Sequence, residues 1–250
     1  MRISTTFIAA LLSIGFLSLP AAAQGKKPFT AVAVQSMKGQ PAQEARVFVD
    51  GTKTRIESTD HGRKVVRISL PEQRVMRILF PEDKVYAETN IPADIQTTVI
   101  DNDNPCPPMD GLTCKKVADA KFGELDVEQW QQHHAPSKTS STLWWEPVRK
   151  MIVRQEFPDG AVMQLTPAGT VDFHGRQAER WDIAFARADG KVTQSYQLVD
   201  TEVGIVVKKE NPELGMSQEL RDLKIVNSEA DWFEVPAGYQ RIEPSQMPQR

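Results

Sequence analysis

Few residues in this 250-residue chain have the types and spacing that do chemistry. Of its four histidines, His133 and His134 are adjacent and invite a metal site. Neighbours on a strand point to opposite faces, however. His61 stands beside Gly62 in a turn-like stretch, and neither C-x-x-C nor H-E-x-x-H spacing supplies a second half of a zinc site. These side chains, with His174, read as solvated loop histidines. Ser137, Ser140 and Ser141 fall in neither G-x-S-x-G nor S-x-x-K. Glu124, Glu128, Glu146 and Glu156 offer carboxylates, but glycoside hydrolysis needs a pair held about 5 or about 6.5–9.5 Å apart in a cleft. They stand where a sheet surface is expected to be charged. Glycines occur singly, without a dinucleotide or phosphate-loop pattern. The expectation is a protein with no catalytic residue, metal or cofactor: not an enzyme.

Cys106 and Cys114 flank P-P-M-D-G-L-T and are the two cysteines of the chain. In an oxidising compartment an even pair reads as a disulfide, with a reduced pair or two metal ligands as the other arrangements. Closing so short a loop contributes about 2.5 kcal/mol on chain-entropy grounds.

The compartment is read from the N-terminus. Arg2 gives a positive start, Phe7 to Leu19 an apolar core, and Ala21-Ala22-Ala23 a small-residue cleavage site before Gln24. The apolar run is shorter than the about 20 residues of a membrane span, and no cysteine adjoins the site for lipid attachment. Residues 1–23 are therefore expected to be a signal peptide cleaved after Ala23, leaving a periplasmic protein that is not integral to the membrane. Losing Arg2 changes 30 basic against 33 acidic residues to 29 against 33, a net charge of −4. That balance offers no footprint for nucleic acid. Residues 24–250 suit one all-β domain in length.

The elements that must position any site are strands, and two stretches repeat. Gly123 to Gly160 and Gly175 to Gly215 each run from Gly through a charged run ending E-x-W. Each continues through an aromatic-bearing run, an acidic turn and an apolar run with basic residues, then a Pro-acidic turn to Gly. Such self-similarity marks repeated supersecondary units, read here as repeated hairpins in one sheet. Upstream, Phe29 to Val34 makes a first strand and Asp50-Gly51 a hairpin. Pro71-Glu72-Gln73 and Pro81-Glu82-Asp83 turn an antiparallel meander. Pro92 to Ile95 could open a short helix. Met216 to Val226 looks like a final long strand, although its leucine spacing would also suit a helix.

Trp144 and Trp145 are neighbours on a strand, so one faces each side of the sheet. The pairs Met76 with Ile78, Met151 with Val153, and Ile205 with Val207 stack apolar side chains on one face of their strands. They either form the core or, with Trp144, line a concave sheet that wraps a lipid or acyl chain, a use to which methionine is suited.

Three motifs give the chain a relative. V-F-V-D-G-T-K-T-R-I-E, W-W-E-P-V-R-K-M-I-V-R-Q-E and the closing F-E-V-P-A-G-Y resemble the outer-membrane lipoprotein carrier (LolA/LolB-like) superfamily. In that superfamily a Trp-x-Asp-Pro turn leads into an x-x-R-x-E strand, and the domain ends near Phe-x-Val-Pro. The Cys-pair segment before G-E-L-D-V-E-Q-W is similar to uncharacterised exported members. The resemblance implies a mainly β fold: one antiparallel, strongly curved sheet, an unclosed β-barrel of about eleven strands with a few short helices. It also implies a hydrophobic ligand or lipoprotein acyl chain in the cavity. Related sensors bind envelope proteins instead, so an envelope protein partner is the alternative. The chain departs from the carriers in having little lid helix and a cysteine-closed loop in its place.

Overall fold

The structure, a computed structural model, describes residues 27–91, 105–106 and 110–248. The expected signal peptide, its cleavage site and the short helix at Pro92 to Ile95 lie outside the described residues. Among the described residues no helix is long and apolar enough to cross a membrane.

One mainly antiparallel sheet of sixteen strands carries the whole fold. A first meander comprises β1 (Phe29–Met37), β2 (Gln43–Asp50), β3 (Lys53–Asp60), β4 (Arg63–Leu70), β5 (Val75–Phe80) and β6 (Val85–Asn90). A second comprises β7 (Leu112–Phe122), β8 (Leu125–His134), β9 (Thr139–Glu146), β10 (Met151–Glu156) and β11 (Val162–Phe173). It continues through β12 (Arg176–Ala186), β13 (Val192–Asp200), β14 (Val206–Asn211) and β15 (Met216–Ile225). Antiparallel pairing of β1 with β15 joins the two meanders in mid-sheet. The edges are β7 and the short β16 (Gln240–Ile242), which runs parallel to β6.

The expected single, curved, unclosed sheet is present, but two details are corrected. Among the described residues the strands number sixteen, not about eleven. The expected few short helices are, among the described residues, 3-10 turns at Pro71–Gln73, Ala230–Phe233 and Pro244–Gln246. The excess strands have a physical reason. Among the described residues β7 has a partner on one side alone and is exposed over most of its length, so lysines stand where an inner strand carries apolar residues. β11 is broken in register between Pro167 and Thr170, around Gly169 at φ +94°, which hides its alternation.

Turn chemistry fixes the register elsewhere. His61-Gly62 (φ +49° and +82°) and His174-Gly175 (φ +52° and +76°) form two-residue hairpin loops. Two consecutive left-handed residues match the twist of the flanking strands. Two of the four histidines thus have a conformational use.

The core lies in three clusters. Phe29, Ala31, Val47 and Val49 of β1 and β2 pack with Leu198, Ile205, Val207 and Leu220. Val66, Ile68, Leu70 and Leu79 pack under Trp232 and Phe233. Val127, Val153, Leu165 and Trp181 form the third. In the second cluster Arg55 donates to the Trp232 carbonyl at 3.1 Å and Arg77 to that of Phe233 at 3.3 Å. These guanidinium groups fasten the C-terminal segment across β3 to β5. Cys106 and Cys114 are bonded, tying β7 to the segment before it.

Candidate ligand-binding cavity

Flat strands stand about 4.8 Å apart, so β11 and β15, four spacings apart, would be separated by about 19 Å. Side chains from all five strands β11 to β15 nevertheless line one cavity of about 450 Å³. The sheet is therefore bent around it. Met163 and Leu165 come from β11, Ile183 from β12, and Leu214 and Met216 from the end of the β14–β15 hairpin. Gly215, at φ +59°, turns that hairpin where a Cβ would lie 2.6 Å from the Lys38 Cβ. The volume falls in the range of small-molecule sites, about 300–1,000 Å³.

Across the floor runs a polar row. Gln197 of β13 is paired with Lys209 of β14, and Lys209 with Gln218 of β15. Cross-strand partners share a face, and all three line the cavity. Trp181 of β12 continues the row on one side and Gln35 of β1 on the other. Gln197 makes a long contact from its amide to the Met151 sulfur at 3.7 Å.

Two charged residues line the cavity, and they differ in kind. Glu210 is occupied: the Lys208 ammonium lies 2.8 Å away and Tyr196 donates its hydroxyl at 2.6 Å. Those bonds hold its carboxyl below the usual range. Lys209 has no hydrogen-bonding or ionic partner among the described residues. Lys209 is exposed, yet the protein surrounding its ammonium disfavours the charged form and lowers its pKa.

The seven residues expected to form an apolar wall are not brought together. Met151 and Trp144 pack against the third cluster, of which Val153 is a member. That cluster adjoins the cavity through Leu165 and, on its margin, Met163 and Ile183. Ile205 and Val207 are buried in the first cluster; Val207 also lines a separate void of about 190 Å³ beside Arg176 and Asp200. Met76 and Ile78 are half-buried on β5, opposite Ser69 and Arg67. Of the tryptophan pair, Trp145 is buried, and its indole nitrogen finds no acceptor among the described residues. Trp144 is half-buried, with the Arg154 guanidinium 5.2 Å from its ring centre.

Sequence reasoning missed the residues that do line the cavity. Lys208-Lys209 was legible as basic residues in an apolar strand, but nothing local tells which lysine is paired. A third cavity, about 530 Å³, lies between β2 to β5 and the C-terminal segment, with Arg46, Arg55, Glu57 and Lys64 in its lining. It is too charged for the same use. His133 and His134 bond to Ser140 and Ser137, at 3.0 and 2.6 Å. Among the described residues no group of three His, Cys, Asp or Glu gathers as for a metal.

No protein family's profile matches the chain, and no curated protein matches it. Solved structures do. A LolA superfamily protein from Nitrosomonas europaea is 10% identical over 86% of this chain and 95% of its own, with a TM-score of 0.39. An outer membrane lipoprotein-sorting protein domain from Vibrio parahaemolyticus is 12% identical over 85% and 92%, at 0.36. A DUF1329 family protein from Desulfovibrio piger is 12% identical over 85% and 91%, at 0.39. The superfamily whose motifs the chain resembles is thus among the structures it matches. All three TM-scores lie below 0.5, and the reading of the cavity rests on its own residues.

Proposed function

We propose that this is an exported periplasmic protein that holds a hydrophobic ligand, a lipid or acyl chain, against the β11–β15 face. The observation that supports it is the cavity between those strands, with Met163, Leu165, Ile183, Leu214 and Met216 in its wall. Each methylene moved from water into such a wall gains about 0.8 kcal/mol. An acyl chain is thus held usefully without polar readout, and no catalytic step is needed. The methionines let the wall adapt to chains of different length.

The test is titration of the full-length mature protein with the neutral dye N-phenyl-1-naphthylamine, followed by displacement with dodecanol. Saturable binding is expected, and Met163→Arg, which thrusts a charge into the wall of a half-buried position, should lower dye affinity at least about tenfold. Circular dichroism checks that the variant keeps its sheet. Absence of saturable binding, or equal binding by a folded Met163→Arg protein, overturns the proposal.

A second reading, an interaction module for an envelope protein, is favoured by the β7 edge. Among the described residues it has a strand partner on one side, it exposes Val117, and it is braced by the Cys106–Cys114 bond. An open edge can accept an added strand. Native mass spectrometry of protein taken from its exported fraction separates the two: an extractable lipid mass supports the first, a stoichiometric protein the second.

A further inference from the structure

We infer that the ligand of this cavity is an anionic single-chain amphiphile, whose carboxylate or phosphate head lies on the Gln197–Lys209–Gln218 row while its chain runs along the apolar wall. The inference rests on the ligand-holding reading above and adds the chemistry of the head group.

Three observations carry it. Lys209 is a cation between two glutamines in a cavity with an apolar wall, with no acid to neutralise it among the described residues, while its neighbour Lys208 is paired with Glu210. Lys209 is exposed, and a ligand seated over the row would take its ammonium out of water, which is costly unless the ligand brings a partner. The one acid in the described lining, Glu210, is already bonded to Lys208 and Tyr196 and points to the other side of β14 by alternation. Secondly, register sets a glutamine on each side of the lysine. Their amides can each donate to one head group, so a group with two or three oxygens finds three donors in line. Thirdly, the apolar lining continues from the two ends of this row, toward Ile183 and Leu165 on β12 and β11 and toward Met216 on β15. A molecule charged at one end and apolar along the rest fits that division. A wholly apolar ligand lying over the row would cover the ammonium without pairing it.

The lowered pKa of Lys209 adds a direction. A bound anion favours the protonated amine, so binding weakens as alkaline pH deprotonates Lys209.

The test compares dodecanoate, dodecyl phosphate and dodecanol as displacers of the neutral dye from wild-type protein and from Lys209→Met. The variant keeps an apolar stem of similar length. Wild type should bind at least one of the two anions about tenfold or more tighter than the alcohol, as a charge-assisted hydrogen bond requires. In Lys209→Met that preference should vanish while dodecanol affinity is kept or raised. Which anion gains more distinguishes a carboxylate from a phosphate head. Equal binding of anions and alcohol by wild type, or an unchanged preference in Lys209→Met, overturns the inference and leaves the ligand-holding reading standing. Failure of all three displacers and the dye overturns that reading first.

Discussion

The two repeated stretches fold into the same unit, and set side by side they separate what local sequence decides from what position decides. The first is β8–β9–β10 and the second β12–β13–β14, three-stranded meanders linked by β11. In each, the tryptophan indole donates to the glutamate two residues before it: Trp130 to Glu128 at 3.0 Å and Trp181 to Glu179 at 3.3 Å. In each, a buried acid ends the middle strand and caps the turn. Glu146 accepts the N–H of Val148 and Arg149, and Asp200 those of Glu202 and Val203. These are the two buried acids among the described residues. The local chemistry is thus copied. Burial is not: Trp181 is fully enclosed in the third cluster, whereas Trp130, one strand from the β7 edge, is half-exposed. A bidentate Arg149–Glu179 pair, at 2.8 and 3.1 Å, ties the turn of one copy to the E-x-W of the other, with the guanidinium 5.5 Å from the Trp181 ring centre.

The largest effect should come from the tryptophans. Trp181→Ala is expected to cost about 3–5 kcal/mol, as for large aromatic truncations in a packed core, and Trp130→Ala about 1 kcal/mol. Urea unfolding at constant slope measures both. Equal losses would mean that the copies share one environment after all.

Next come the capping acids. Burial pushes the Asp200 carboxyl up, but the Arg176 hydrogen bonds and the N–H groups of Val203 and Glu202 outweigh it and leave the pKa below the ordinary range. The stability Asp200 contributes is therefore full above the ordinary carboxylate value and is lost as pH falls through the lowered one. Asp200→Ala should cost about 2–4 kcal/mol at neutral pH, since it leaves two N–H groups without their acceptor and Arg176 with Glu202 alone. Glu146→Ala should cost about 1–2 kcal/mol, its Arg149 contact being 3.7 Å long. Between the ordinary carboxylate range and lower pH, the gap between Asp200→Ala and wild type should narrow. A gap that stays constant on acidification would deny Asp200 its special place.

The smallest concerns the tie between the copies. Arg149→Met should lower stability by about 1 kcal/mol, because the pair is half-exposed, or about 2–4 °C in melting temperature at this size. The Arg149 hydrogen bonds are the main cause of the lowered Glu179 pKa, with burial opposing them. In Arg149→Met the carboxyl should move back up toward the ordinary range by NMR titration. An unmoved Glu179 would show that the copies are only neighbours.

How much of this the chain displays in one dimension follows the same division. Asp50-Gly51, Pro71-Glu72-Gln73 and Pro81-Glu82-Asp83 carry their turns in their own residue types, so β2 to β6 are legible. So are the repeated copies, because the E-x-W and acidic-turn contacts span two or three residues. β7 is not, since an edge strand has no need of the alternation that reveals an inner one. The cavity is not either. Gln197, Lys209 and Gln218 become neighbours through two hairpin registers, one of them shifted between Leu198 and Val199. The seven apolar residues singled out along the sequence share strand alternation but not a place. Trp232 and Phe233 are recognisable as apolar. That they cross over to β3–β5 depends on Arg55 and Arg77, some 150 residues or more upstream.

The join between β1 and β15 bears on how the molecule is made. Phe29 pairs with Ile225 and Met37 with Met216, so the N-terminal strand waits for nearly the last residues of the sheet. Until they arrive, a growing or emerging chain holds two separate meanders with four open edges rather than one sheet with two. Each hairpin can form early from near neighbours, but this one ladder must close over the longest sequence distance in the sheet, the kind of contact that slows folding. Open edges recruit other chains. The vulnerable interval in this protein's life is therefore the wait for its final strands, and a truncation that removed β15 would lengthen that interval without limit.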